Sequence, residues 1–137
     1  EPDTIKTTLL KGRAGVMPSF KDSLDGGQIS DVTHYVRSLS GLAADQIKVG
    51  RGQTVFKNNC VGCHGGNGAG MAAVGAPNLT DKVWLYGSSE ATITETLIKG
   101  RGGKMPAHEQ ILTPEKIQML TAYVWGLSNN KQPAATK

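Results

Sequence analysis

The ten residues LLKGRAGVMP at positions 9–18 return at 97–106 as LIKGRGGKMP. A shift of 88 places lays Thr4 to Ser40 on Thr92 to Ser128 without a gap. The two stretches agree at Ile5/Ile93, Leu9/Leu97, Lys11/Lys99, Gly12/Gly100, Arg13/Arg101, Gly15/Gly103, Met17/Met105, Pro18/Pro106, Tyr35/Tyr123 and Val36/Val124, among others. An unbroken register of this length indicates duplication, and it is too long and aperiodic for a solenoid repeat. Whatever the chain folds into must therefore house two versions of one segment.

Each copy predicts the same local structure. A helix runs to Lys-Gly, where Gly12 or Gly100 suits the C-terminal stop. A glycine-bearing loop then presents Met-Pro. A second helix follows, with apolar residues at Ile29, Val32, Val36 and Leu39 or at Ile117, Leu120, Val124 and Leu127. Steps of three, four and three make one stripe of an α-helix. Thr113-Pro114-Glu115 supplies an N-cap, a proline at the first helical position and an acid in the first turn. Between the copies, a helix from Asp45, its N-cap, to about residue 60 places Gly52, Val55 and Phe56 on one face. The glycine-rich stretch 62–79 reads as irregular backbone held by something other than its own side chains. With no run of alternating apolar residues, the expected fold is all-α.

Only one copy has a cysteine pair ahead of it in this chain: Cys60-Val61-Gly62-Cys63-His64. Two thiols three apart on a helical turn can each add to one vinyl group of a haem, and the adjoining His64 then sits where its imidazole can ligate iron. Three other readings compete. A thioredoxin-type redox pair needs a βαβ context. A zinc site needs further ligands, and only His34 and His108 remain. A disulfide across two residues explains neither His64 nor the glycine-rich sequel. Covalent attachment of one c-type haem through Cys60 and Cys63 is favoured over all three.

A second iron ligand would make the haem an electron carrier rather than a reactive five-coordinate centre. The candidates are Met71, Met105, Met119 and His108. Met119 lies inside the final helix beside the apolar stripe and reads as core. Met71 is only seven residues past His64, awkward for the opposite face of the ring. Met105 sits in a loop stiffened by Pro106 and is the expected ligand, with His108 as its substitute.

CVGCH, followed by GAPNLTDKVWLYG (75–87) and LIKGRGGKMPAH (97–108), resembles a class I cytochrome c. More closely, it resembles the C-terminal haem domain of the di-haem subunit (subunit III) of cbb3-type cytochrome c oxidase. The resemblance implies a complete cytochrome c domain at 45–130, a partial one at 1–44 lacking its haem motif, and a flexible tail at 131–137. It also implies that Gly52 and Phe56 cross the last helix near Leu120 and Tyr123. Pro77 would accept a hydrogen bond from the His64 imidazole, and Trp84, Tyr86 and Arg101 are candidates for contacts with the haem propionates, the alternatives being Trp84 as a core aromatic and Arg101 as a solvated loop charge. Two departures stand beside the methionine loop: His108 where the first copy has Phe20, and Lys104 where it has Val16. Met17 would be a ligand by ancestry with no iron of its own here.

The expected function is one-electron transfer, from a donor cytochrome c toward the haem–copper subunit of the oxidase and in contact with its other subunits. A free-standing cytochrome c and a haem-based sensor are the alternatives; a peroxidase would need a distal acid–base set that is not apparent. The 15 basic and 11 acidic residues leave +4, all of it in residues 45–137. The lysines are scattered and not interleaved with aromatics, which argues against nucleic acid. No run approaches the roughly 18 apolar residues of a membrane span. The chain begins without Met or leader and reads as a processed or excised piece. The resemblance places it on the periplasmic side of the bacterial inner membrane, tethered by an N-terminal anchor outside this sequence. The stripe Ile29–Leu39, parted from the partner it matches, is expected to pack on the intact domain or, by exchange of equivalent segments, on a second chain.

Overall fold

A computed structural model describes residues 1–129; the expected tail at 131–137 lies outside the described residues. In chain order come α1 (Pro2–Lys11), β1 (Arg13–Met17), α2 (Gly26–Leu39), α3 (Gln46–Asn59), the single turn α4 (Val61–His64), a 3₁₀ turn (Ala72–Val74), α5 (Glu90–Lys99), β2 (Arg101–Met105) and α6 (Pro114–Asn129). The chain is mostly helical, but β1 and β2 pair in a two-stranded sheet, which corrects the all-α expectation. RAGVM and RGGKM are only five residues long and rich in glycine. Such strands pair through their backbones and leave little alternation of side chains to read.

The helix ends follow their capping residues. Gly12 and Gly100 stop α1 and α5 with φ of 71° and 72°, a left-handed backbone that a side chain disfavours. Asp25 caps α2 in a reciprocal box with Gln28. Asp45 accepts from the backbone N–H groups of Ile47 and Lys48 at the start of α3, and Thr113 accepts from that of Lys116 on α6.

The chain divides into two compact units. One joins Glu1–Ala14 to the described residues from Lys104 onward; the other is Gly15–Gly103. Both dividing points fall inside strands, whereas the boundary expected between residues 44 and 45 lies within the second unit. In the first unit α1 packs along α6. The backbone N–H of His108 donates to Leu9 O at 2.8 Å, and Ile117 and Thr121 are the buried residues of α6.

The second unit is built on the crossing of α2 and α3, with α5 against α2. Its core joins Leu24, Ile29, Val32 and Val36 to Val55, Phe56, Cys60, Ile93 and Leu97. Burying Phe56 and Val32 contributes about 1.5–3 kcal/mol each. The crossing forms at Gly52, where a Cβ would collide with Asp31 O and lie 2.9 Å from Tyr35 Cβ. The helix expected at Gly52 and Phe56 was α6, through Leu120 and Tyr123. The helix found there is α2, and the ring of Tyr35 lies 5.2 Å from that of Phe56. Arg51 adds a bidentate pair, with Nε and Nη2 each 2.9 Å from an oxygen of Asp31.

Candidate functional site

His64 is the last residue of α4 and is buried. Its backbone N–H closes the turn on Cys60 O at 2.9 Å. Gly65 (φ 81°) then turns the chain away. The next residues fold back as a closed loop: Met71 and Ala76 exchange backbone hydrogen bonds of 3.0 and 3.1 Å, and Leu79 N–H donates to Gly68 O at 2.7 Å. Gly70 allows the two limbs to touch, since a Cβ there would sit 2.7 Å from Asn78 N and Pro77 C. The loop carries Pro77 O to 3.0 Å from His64 Nδ1. A carbonyl can only accept, so Nδ1 carries a proton, and in the neutral imidazole Nε2 then keeps its lone pair. That is the tautomer a metal-ligating imidazole needs.

The cysteines flank this turn as free thiols, Cys60 buried and Cys63 exposed. Burial, with the nearby Cys63 adding to it, pushes the Cys60 thiol up to about 11. No disulfide links them, and no cluster of His, Cys, Asp or Glu suited to a metal ion occurs among the described residues.

Trp84 packs against the core of this unit. Its indole N–H is buried and meets no acceptor among the described residues. A donor left this way costs roughly 1–3 kcal/mol, which an acceptor on a bound group would offset. Arg101 lies over the ring of Tyr86, 4.1 Å from its centroid, and its Nε donates to Thr96 Oγ1 at 3.0 Å.

The second unit thus holds Cys60, Cys63, His64, Pro77, Trp84, Tyr86 and Arg101 together. Met105, expected on iron, belongs to the first unit, as do Met119 and His108. The methionine that shares a unit with His64 and packs against its core is Met17. Met71 shares the unit too, but sits in the bridge with Ala76, with 39% of its surface exposed.

Residues 48–124 match the family described as cytochrome c oxidase, cbb3-type, subunit III. The chain belongs to this family. It is 47% identical, over 94% of its length, to the cbb3-type cytochrome c oxidase subunit FixP of Bradyrhizobium sp. (strain ORS 278), covering 48% of that protein. It is 48% identical over 88% of its length to FixP of Bradyrhizobium diazoefficiens, covering 43% of it. Against subunit CcoP of Cereibacter sphaeroides the identity is 43% over 91% of the chain and 44% of the relative. The chain therefore spans about half the length of the curated relatives it matches. Names of this kind do not favour a free-standing carrier or a sensor. Membership of a cytochrome c family implies a covalently held c-type haem. The bare Nε2 of His64, the flanking thiols and the unpartnered Trp84 donor fit one.

Proposed function

We propose that this chain is an electron-relay module of a cbb3-type oxidase, carrying one haem bound through Cys60 and Cys63. The observation that carries the reading is the hydrogen bond from His64 Nδ1 to Pro77 O, placed on a turn that begins at Cys60. When bound, the haem supplies a one-electron couple between ferric and ferrous iron. The chain's own residues set the conditions for it. Cys60 and Cys63 fix its position. Pro77 holds the His64 ring in register and raises the basicity of Nε2. Trp84, with Tyr86 and Arg101, offers donors and positive charge for carboxylates of the group. A thioether ligand would leave no open position for substrate, so the module takes one electron from a donor cytochrome and passes one on.

Other oxidase subunits are the partners of this reading, and the periplasmic side of the inner membrane is its place. Among the described residues no helix is long and apolar enough to cross a membrane; membrane attachment would be made by a segment outside this sequence. The test is to mature the chain in a host that attaches haem c. One haem should be added to the mass of the polypeptide and lost in the Cys60→Ala/Cys63→Ala variant, with a low-spin ferric spectrum at neutral pH. A high-spin five-coordinate ferric spectrum would overturn the reading.

A further inference from the structure

We propose that Lys82 is the counter-charge for one carboxylate of the haem, which it holds together with Trp84 in a pocket between the end of α2 and the head of α5. The proposal rests on the haem reading above and deepens it, by naming the residue that ties the potential of the iron to the ionisation of that carboxylate.

Ser40, Gly41 and Leu42, which follow α2, and Lys82, Trp84 and Ser88, which precede α5, line a pocket of about 230 Å³. Two of its groups are unmet. The indole N–H of Trp84 is buried without an acceptor. The exposed Lys82 ammonium makes no ion pair or hydrogen bond among the described residues. A buried donor without a partner is costly, and one oxygen atom would satisfy it. An ammonium beside that donor favours an anionic oxygen over a neutral one.

Nothing in the surrounding chain supplies that anion. No acidic side chain lines the pocket. Asp81, next to Lys82, turns its carboxylate onto its own backbone and accepts from Val83 N–H at 3.0 Å. Glu90, at the start of α5, stands 3.2 Å from His34 Nε2. The other cation nearby, Arg37 of α2, is engaged by Ser88 O and Ala43 O. Lys82 is therefore the cation left for a ligand. The ligand follows from the position of the pocket. Trp84 packs against the core that includes Cys60, and two residues further on Tyr86 lies under Arg101. Haem carries two carboxylates, and this wall offers two cationic stations, Lys82 with Trp84 and Arg101 with Tyr86.

The arrangement has a readable consequence. Reduction makes the iron site more negative by one charge, so a nearby carboxylate then binds a proton more tightly. The potential falls with rising pH across the range in which that carboxylate titrates. Lys82 and the Trp84 N–H both favour the ionised form. They hold that range low and keep the potential level around neutral pH.

The experiment follows midpoint potential against pH in the full chain carrying covalent haem, for the wild type, Lys82→Gln, Lys82→Arg and Trp84→Phe. Lys82→Gln should lower the potential at mildly alkaline pH and bring the onset of its rise on acidification closer to neutrality. Lys82→Arg should restore the wild-type curve, and Trp84→Phe should move the onset in the same direction as Lys82→Gln. Lys21→Gln, which removes an exposed charge outside the pocket, should leave the onset in place. In the reduced protein the indole N–H signal of isotope-labelled Trp84 should titrate with the potential and shift in Lys82→Gln. A Lys82→Gln curve that superposes on the wild type, or that Lys82→Arg fails to restore, would overturn the proposal. So would an indole signal that moves when inorganic phosphate is added, because the pocket would then be taking a free anion. Failure to attach haem at all would instead overturn the reading beneath, and the mass of the product separates the two cases.

Discussion

Helices α2 and α6 carry the same apolar stripe and meet opposite fates. On α2, Ile29, Val32 and Val36 are buried, Val32 completely. Their counterparts on α6 are Ile117, Leu120 and Val124; Ile117 is buried, while Leu120 and Val124 are each 39% exposed. A stripe says that a helix wants a partner, not which one. The choice is made beside the stripe. Arg51 of α3 is met by Asp31 on α2, and the corresponding residue of α6 is Met119, whose uncharged thioether is only a weak acceptor for a guanidinium. Arg37 of α2 reaches Ser88 O and Ala43 O, where α6 carries Trp125. The short link from Leu39 to Gln46 also makes α2 the cheaper helix for α3 to recruit, since closing a short loop costs less entropy.

The comparison can be broken most forcefully at the stripe. Val32→Ala should cost about 2–3 kcal/mol in chemical denaturation, by lost burial and a cavity; Val124→Ala should cost less than about 1 kcal/mol. Equal costs would mean that both helices are covered. The glycines come next. Gly15→Ala should destabilise by about 1–2 kcal/mol, because the added methyl presses on Gly75 O. Gly103→Ala should be neutral or stabilise by up to about 1 kcal/mol, by stiffening the unfolded chain.

A subtler test moves the charge. Asp31→Met combined with Met119→Asp should weaken the hold of α3 on α2, read as faster amide exchange across α2. Asp31 also gives a pH signature. The Arg51 hydrogen bonds hold its carboxyl below the ordinary 3.8, outweighing the opposing effect of burial. A depressed folded value stabilises above the unfolded one and is lost as pH falls through the folded value. The stability gap between the wild-type chain and Asp31→Asn should therefore be constant at neutral pH and close below about pH 4.

The smallest effect is chemical. Before haem attachment, Cys63 should be alkylated ahead of Cys60 at pH 8, since Cys60 is buried and its thiol stays protonated until about 11. Because that folded value is raised from an ordinary 9.0, its stabilising contribution is complete below pH 9 and fades toward 11. Equal alkylation rates would show that the turn at Cys60 is open.

The site was largely legible because its signals are local. Cys60, Cys63 and His64 share one turn, whereas the Pro77 partner was implied by the family resemblance and not by the residues of its loop. Helix ends at Gly12, Gly100, Asp45 and Thr113 were equally plain, because capping is a matter of a few residues. Pairing was not legible. Two nearly identical segments offer nearly degenerate energies, and the tie is broken by Asp31 against Met119 and by loop length, neither of which periodicity reports. The β1–β2 pair was missed because its hydrogen bonds are made by backbone that any sequence possesses.

The place of Met17 in the chain has a consequence for timing. It precedes Cys60 by 43 residues, and every core residue of its unit lies before Gly103. As the polypeptide emerges from its N-terminus, Met17 and helix α2 are already present when the cysteines appear, and α5 follows them. The core of this unit is then complete before about the last two thirds of the second copy have been made.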